Sequence, residues 1–206
     1  MSAPLPEAGT RRRGILFVVS APSGAGKTTL TKAALAAFPD LALSVSCTTR
    51  PPRVGEIDGR DYFFVDRGEF ERRRDAGEFV EWAEVFDHSY ATPRAPLDGA
   101  IAAGHDVLLD VDIQGARSIK QAYPEDAVGI FVVPPSLDDL EARLRARGTD
   151  REDQIRRRLD RARLELSELS EPGVYDYRIV NRILADASSA LQSIIIAERH
   201  RNARVA

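Results

Sequence analysis

The run Ala21-Pro22-Ser23-Gly24-Ala25-Gly26-Lys27-Thr28-Thr29 is the stretch of this sequence best suited to chemistry. It follows the apolar segment Ile15-Leu16-Phe17-Val18-Val19 and precedes a helix-forming segment, so strand, glycine-rich turn, lysine, hydroxyl and helix arrive in the order a phosphate loop requires. Such a turn lets successive backbone N–H groups converge on anionic oxygens, and the helix behind it adds the positive end of its dipole. Lys27 is placed to reach the β and γ phosphates of a nucleoside triphosphate, and the Thr28 hydroxyl to coordinate magnesium. Ala21 stands where the strict pattern has its first glycine, a change that a small residue at negative φ tolerates. A small-residue turn before an ordinary helix is the plain alternative.

Other residues could serve the same chemistry. Arg50 and Arg53 flank Pro51-Pro52, and two guanidinium groups so close together can clamp a phosphate through directed, permanently charged donors. Taken alone, arginines beside proline are more often surface charges of an exposed turn. Asp110 and Asp112 end an apolar strand at alternate positions, which projects both carboxylates to one side. They could organise a reacting centre, bind an unrelated metal, or cap the next helix.

Elements must position these groups. Strands are expected at 15–19, 108–112, 129–133 and 177–180, with helices at 28–38, 136–147, 151 to about 169, and 185–199. Strands alternating with helices favour a parallel α/β sheet. From about Ser46 to Leu97 the texture changes to turns at Pro51-Pro52 and Asp58-Gly59 and aromatic-rich segments, which suits short strands around a small helix in an inserted lobe. Residues 1–13 contain Pro, Gly and three arginines without the apolar centre of a secretory signal, and read as a flexible lead-in.

Composition bounds the setting. A chain of 206 residues with 43% hydrophobic and 30% charged residues can bury a substantial core. Its net charge of -3 gives no general case for nucleic-acid binding, and no stretch is long and apolar enough for a bilayer. The single Cys47 cannot form an intrachain disulfide, which points to a reducing, cytoplasmic compartment.

The segment Ser44-Val45-Ser46-Cys47-Thr48-Thr49-Arg50-Pro51-Pro52-Arg53-Val54-Gly55-Glu56 is more specific. With Asp61-Tyr62, Gly77-Glu78-Phe79-Val80-Glu81-Trp82, Asp110-Val111-Asp112-Ile113-Gln114-Gly115, Pro134-Pro135-Ser136 and Arg147-Gly148-Thr149, it closely resembles guanylate kinase, from Gly14 to the terminal helix. The resemblance implies a P-loop nucleoside monophosphate kinase fold of the α/β class. In it a parallel sheet core (14–45 and 98–206) carries an inserted mixed α/β GMP-binding lobe (46–97) and a helical lid at about 143–158. It implies reversible in-line phosphoryl transfer from ATP, with Mg2+, to GMP.

By this resemblance Ala21 through Thr29 hold ATP, joined by Arg147 and, at the adenine, Asn181. Arg50, Arg53, Tyr62 and Tyr90 contact the GMP phosphate, while Glu81, Ser46 and Thr92 read the guanine edge. Asp110 touches GMP or its hydration shell; Asp112 organises the reacting centre and, with Thr28, the metal, directly or through water. Arg143 and Arg158 close over the transferring phosphoryl group, completing with Lys27, Arg50 and Asp112 the catalytic set. Three departures stand out: Ser89-Tyr90-Ala91-Thr92 replaces the family's tyrosine, tyrosine, glycine, threonine run, Arg182-Ile183 replaces an acidic pair after Asn181, and Ala21 replaces glycine. The implied partners are GMP and ATP, with no nucleic acid or membrane, and homo-oligomerisation is left open. Two other readings are a kinase of a phosphorylated sugar and a non-catalytic guanylate-kinase-like module that binds a phosphorylated peptide. Retention of Ser46, Arg50, Arg53 and Glu81 argues against the first, and the complete phosphate loop against the second.

Overall fold

The computed structural model describes residues 12–85, 87–146, 148, 151–167 and 173–201. Its central sheet is five-stranded and parallel, in the order β2 (Ala42–Leu43), β7 (Val107–Asp110), β1 (Leu16–Ser20), β8 (Ala127–Val133), β9 (Tyr177–Val180). Both β1 and β8 are buried at every position. A parallel strand covered on both faces requires this, and it explains why these segments read as unbroken apolar runs.

Alternation of side chains then divides the core in two. Ile15, Phe17 and Val19 pack with Leu30 and Ala34 of α1 (Lys27–Ala37) and Leu191 and Ile195 of α7 (Leu184–Arg199). Leu16 and Val18 pack on the other face with Leu97 and Ile101 of α3 (Arg94–Ala103) and Ala116 and Ile119 of α4 (Ile113–Ala122). Ligand crevices in such sheets open beyond the carboxyl ends of the strands. The phosphate loop after β1 and the Asp110-Val111-Asp112 segment after β7 both lie there.

Residues 47–93 form a second, four-stranded mixed sheet in the order β4 (Phe63–Phe64), β3 (Cys47–Thr48), β6 (His88–Pro93), β5 (Phe79–Val85). The helix α2 (Arg67–Asp75) packs on it through Phe70, and Cys47, Phe70, Phe79 and Ala91 give this sheet its own small core. The chain enters α3 at Arg94, where Leu97 and Ile101 join the central sheet. The helices α5 (Leu137–Ala146) and α6 (Glu152–Ser167) pack on each other through Leu140, Leu144, Ile155, Leu159 and Ala162, a third separate cluster.

Two expectations are corrected. Arg12 and Arg13, expected to belong to a flexible lead-in whose residues 1–11 lie outside the described ones, are paired: the Arg12 guanidinium donates to both oxygens of the buried Asp106 at 2.6 and 3.0 Å, and Arg13 to Asp126 at 2.8 and 2.7 Å. Arg199 of the last helix donates to the same Asp106 carboxylate at 2.7 Å. A buried carboxylate needs such compensation, and the sequence places its partners far apart. The strand expected to run to Asp112 ends at Asp110; Asp112 is the N-cap of α4, its carboxylate Oδ1 accepting the Gly115 N–H at 2.9 Å. Among the described residues no helix is long and apolar enough to cross a membrane.

Candidate active site

Gly24 and Gly26 sit at φ 96° and 100°, left-handed conformations that let the loop turn sharply before α1. A Cβ on Gly26 would come within 2.3 Å of the Asn181 side-chain nitrogen. That nitrogen donates to the Ala25 carbonyl at 2.7 Å from a buried position, bracing the loop from beneath. Asn181, assigned to the adenine by resemblance, has thus committed an amide hydrogen to the loop backbone. Gly26 caps α1 without a side-chain hydrogen bond, which leaves the first-turn N–H groups for an anion.

A cleft of about 470 Å³ opens over this loop. Pro22, Ser23 and Gly24 line it with Lys27, Thr28 and Thr29 from the start of α1 and Asp112 from the head of α4. The opposite wall is α6, through Arg158, Arg161 and Glu165. The Lys27 ammonium donates to the Val111 carbonyl at 2.7 Å and pairs with the Asp110 carboxylate at 2.5 Å, so the end of β7 fixes the lysine where the phosphate loop passes into α1. Arg161 donates to Glu165 at 2.8 Å and stands 3.9 Å from the second oxygen of Asp112. Burial pushes the Glu165 carboxyl above its usual range, against the hydrogen bond and charge of Arg161. Arg161 and Glu165 were not singled out from the sequence. Their signal was their spacing from Arg158, i+3 and i+7, which turns all three to one side of a helix.

Arg143 does not share this cleft with Arg158. It lines a second cavity of about 410 Å³ on the other flank of the loop, with Gly24, Gly26, Thr29, Asn181 and Arg182, and donates to the Asn181 carbonyl at 2.7 Å. The two arginines that the resemblance brings together over one phosphoryl group therefore line different cavities, which meet at Gly24, Gly26 and Thr29. Arg147 falls outside the described residues.

The acceptor residues assemble on the second sheet. Arg50 is buried, with its guanidinium over the rings of Tyr62 (5.4 Å) and Phe64 (5.8 Å), and it meets both oxygens of Glu56 at 2.8 and 2.9 Å. The Glu56 carboxylate also accepts the Arg53 backbone N–H at 2.7 Å, and Arg50, followed by this N–H, holds it below the usual carboxylate range. The Arg53 residue itself is exposed on the same loop. Tyr90 meets Tyr62 edge-to-face, ring centroids 6.1 Å apart, and burial raises the Tyr62 phenol, keeping it a neutral donor. Glu56 lies in the segment that carried the resemblance, but it had no assigned role.

Thr92 and Glu81 face each other across β6 and β5, and the threonine hydroxyl donates to the carboxylate at 2.5 Å. Burial drives the Glu81 carboxyl up, the Thr92 hydrogen bond opposes the shift and the charge of Asp112 adds to it. Glu81 reaches the first turn of α4: a Cβ on Gly115 would lie 3.3 Å from its carboxylate and 3.1 Å from the Val111 Cβ, so a larger residue there would crowd both. Ser46 precedes β3 and ties it to β4, its carbonyl accepting the Phe63 N–H at 2.9 Å.

Comparison with known proteins agrees with this geometry. The family model described as guanylate kinase matches residues 13–198. The chain is 54% identical to the guanylate kinase of Bordetella pertussis over 188 residues, 91% of this chain and 86% of that protein. It is 48% identical to that of Bradyrhizobium diazoefficiens over 196 residues, 95% of this chain and 88% of the relative. A crystal structure of guanylate kinase from Anaplasma phagocytophilum superposes with a TM-score of 0.74 at 36% identity, covering 94% of this chain and 90% of that one. The chain belongs to the guanylate kinase family.

Proposed function

We propose that the chain aligns GMP and ATP across the Asp110-Val111-Asp112 segment, with the guanine read by the Glu81 and Thr92 pair on one side and the triphosphate held by the phosphate loop on the other. The reaction is ATP-dependent phosphorylation of GMP to GDP. The observation that carries the reading is the junction itself: Lys27 pairs with Asp110, Asp112 caps α4, and the same first turn of α4 takes the Glu81 carboxylate.

Residue chemistry supports the individual roles. An ionised Glu81 accepts from the N1–H and amino group of guanine, while the hydroxyls of Ser46 and Thr92 complement its carbonyl edge. Arg50, presented over Tyr62 and Phe64, meets the GMP phosphate with Arg53 and the phenols of Tyr62 and Tyr90. A phosphate-monoester oxygen is an adequate nucleophile once aligned, so no strong general base is called for. Lys27 exchanges its Asp110 partner for the donor phosphates and, with Arg158, stabilises charge on the transferring group. Arg143 starts in the other cavity, held to the Asn181 carbonyl, and would have to leave that partner to reach the same group.

The Thr28 hydroxyl and the carboxylate oxygen of Asp112 that does not cap α4 are cleft oxygens that would suit Mg2+. Among the described residues no three His, Cys, Asp or Glu side chains gather as a cage. One or two protein oxygens plus substrate phosphates fit a magnesium ion that enters with ATP. It would supply positive charge to the phosphate oxygens.

Lys27→Met tests the donor half of the assignment. In a coupled assay of GDP formation we expect a loss of at least about 100-fold in kcat with a normal thermal transition, as for removal of one preorganised charge-stabilising group. Undiminished turnover would exclude the role given to Lys27.

A further inference from the structure

On α6, Arg158, Arg161 and Glu165 share the cleft-facing side, whereas Arg156 and Arg163 line a separate surface hollow with Glu152 and Asp160. Arg161 spans the cleft: its guanidinium donates to Glu165 on its own helix and approaches the Asp112 carboxylate at the head of α4, on the core. Glu165 is held firmly. Its side chain is 16% exposed against 65% for Arg161, and its Oε2 is buried with no hydrogen-bond partner among the described residues. The arginine is therefore a charge fixed at one end by a buried carboxylate and open at the other to a cavity floored by the phosphate loop.

We propose that Arg161 is a further ligand of the donor polyphosphate, and that Glu165 is the residue that positions it. The inference rests on the ATP-to-GMP reading of the same site. A guanidinium has donors along more than one edge, so Arg161 can keep its bond to Glu165 while turning another edge from Asp112 to a phosphate oxygen. Asp112 is then released toward the reacting centre. The carboxylate at position 165, close to an anionic substrate, would be repulsive on its own. Paired with Arg161 it is neutralised and restricts the arginine to the orientation that faces the loop.

Calorimetric binding of ATP, ADP and GMP to the full chain, with steady-state kinetics beside it, tests the proposal. For Arg161→Ala we expect about tenfold weaker ATP binding, the lower end for a charge-assisted hydrogen bond at a partly exposed site, a smaller loss for ADP, and GMP affinity within about twofold. The KM for ATP should rise in step while the KM for GMP holds. Arg161→Lys should recover part of the ATP affinity, and Arg163→Ala, on the other side of the helix, should change none of these values. Glu165→Gln should weaken ATP binding about threefold alone but recover part of the loss in the Arg161→Ala background, where it removes an unpaired carboxylate from beside the phosphates, because coupled residues are not additive. Unchanged ATP affinity in Arg161→Ala, an equal loss for GMP, or additive effects of the two substitutions would overturn it. Wild-type protein that makes no GDP would instead defeat the underlying kinase reading.

Discussion

At the scale of single residues, specificity rests on Glu81, a carboxylate that is poorly solvated and must nevertheless be ionised to accept from guanine. Its raised pKa, caused first by burial, has two consequences. As pH falls through that raised value, Glu81 takes up a proton and GMP binding should weaken at a higher pH than for an ordinary glutamate. Stability runs the other way. A carboxyl whose folded pKa lies above its unfolded one destabilises the fold once ionised, and acidification through the folded pKa relieves this. For Glu81→Gln we therefore expect GMP affinity down about 100-fold, because an amide N–H replaces an acceptor in a dry site, with an unchanged or raised melting temperature at neutral pH. A variant that binds GMP normally would remove Glu81 from base recognition. Arg50, Arg53 and Glu81 were picked out through a resemblance that rests on short local segments, and the structure sets Arg50 over Tyr62 and Phe64 and Glu81 opposite Thr92. The Glu56 brace was not legible in the sequence, since a carboxylate in an exposed turn has many ordinary uses.

At the scale of elements, the phosphate loop and its helix were legible because strand, glycines, lysine and hydroxyl are contiguous. The boundaries of α1 and β9 lie within one residue of expectation. What supports the loop was not legible: Asn181 meets the Ala25 carbonyl across 156 residues of chain, and no local pattern encodes that contact. The end of β7 was misread for a related reason. Asp110 and Asp112 look like alternate strand positions, but Gly115 three residues after Asp112 supplies the N–H that makes it a helix cap. Removing the brace should be felt at the site. Asn181→Ala leaves the Ala25 carbonyl without that donor, and we expect a loss of about 1–3 kcal/mol in unfolding free energy. Weaker ATP binding should accompany it, with GMP affinity retained. Urea denaturation and calorimetry check both parts; unaltered ATP binding would mean that the loop holds its shape without Asn181.

At the scale of the whole molecule, the central sheet, the second sheet and the α5–α6 pair each have an apolar cluster of their own, and Val80 on the central core and Leu166 on Ile113, Phe131 and Val133 are the packed contacts over which they would have to slide in a shear-like closure. The placement of Arg143 and Arg158 in different cavities, and the internal partners of Lys27 and Arg50, fit a state that awaits its anions. We expect probes on the second sheet and on α6 to approach when GMP and a nonhydrolysable ATP analogue bind together, and part of the way with GMP alone. Arg53→Ala should raise the GMP concentration required without altering ATP affinity. Equal distances in the free and doubly liganded protein would rule out closure while leaving the kinase assignment intact. That assignment is tested most directly by ATP-dependent product formation from GMP, AMP and a phosphorylated sugar offered separately to the full chain. We expect GDP from GMP in strong preference to product from AMP, and none from the sugar; equal use of GMP and AMP, or no GDP at all, would contradict it.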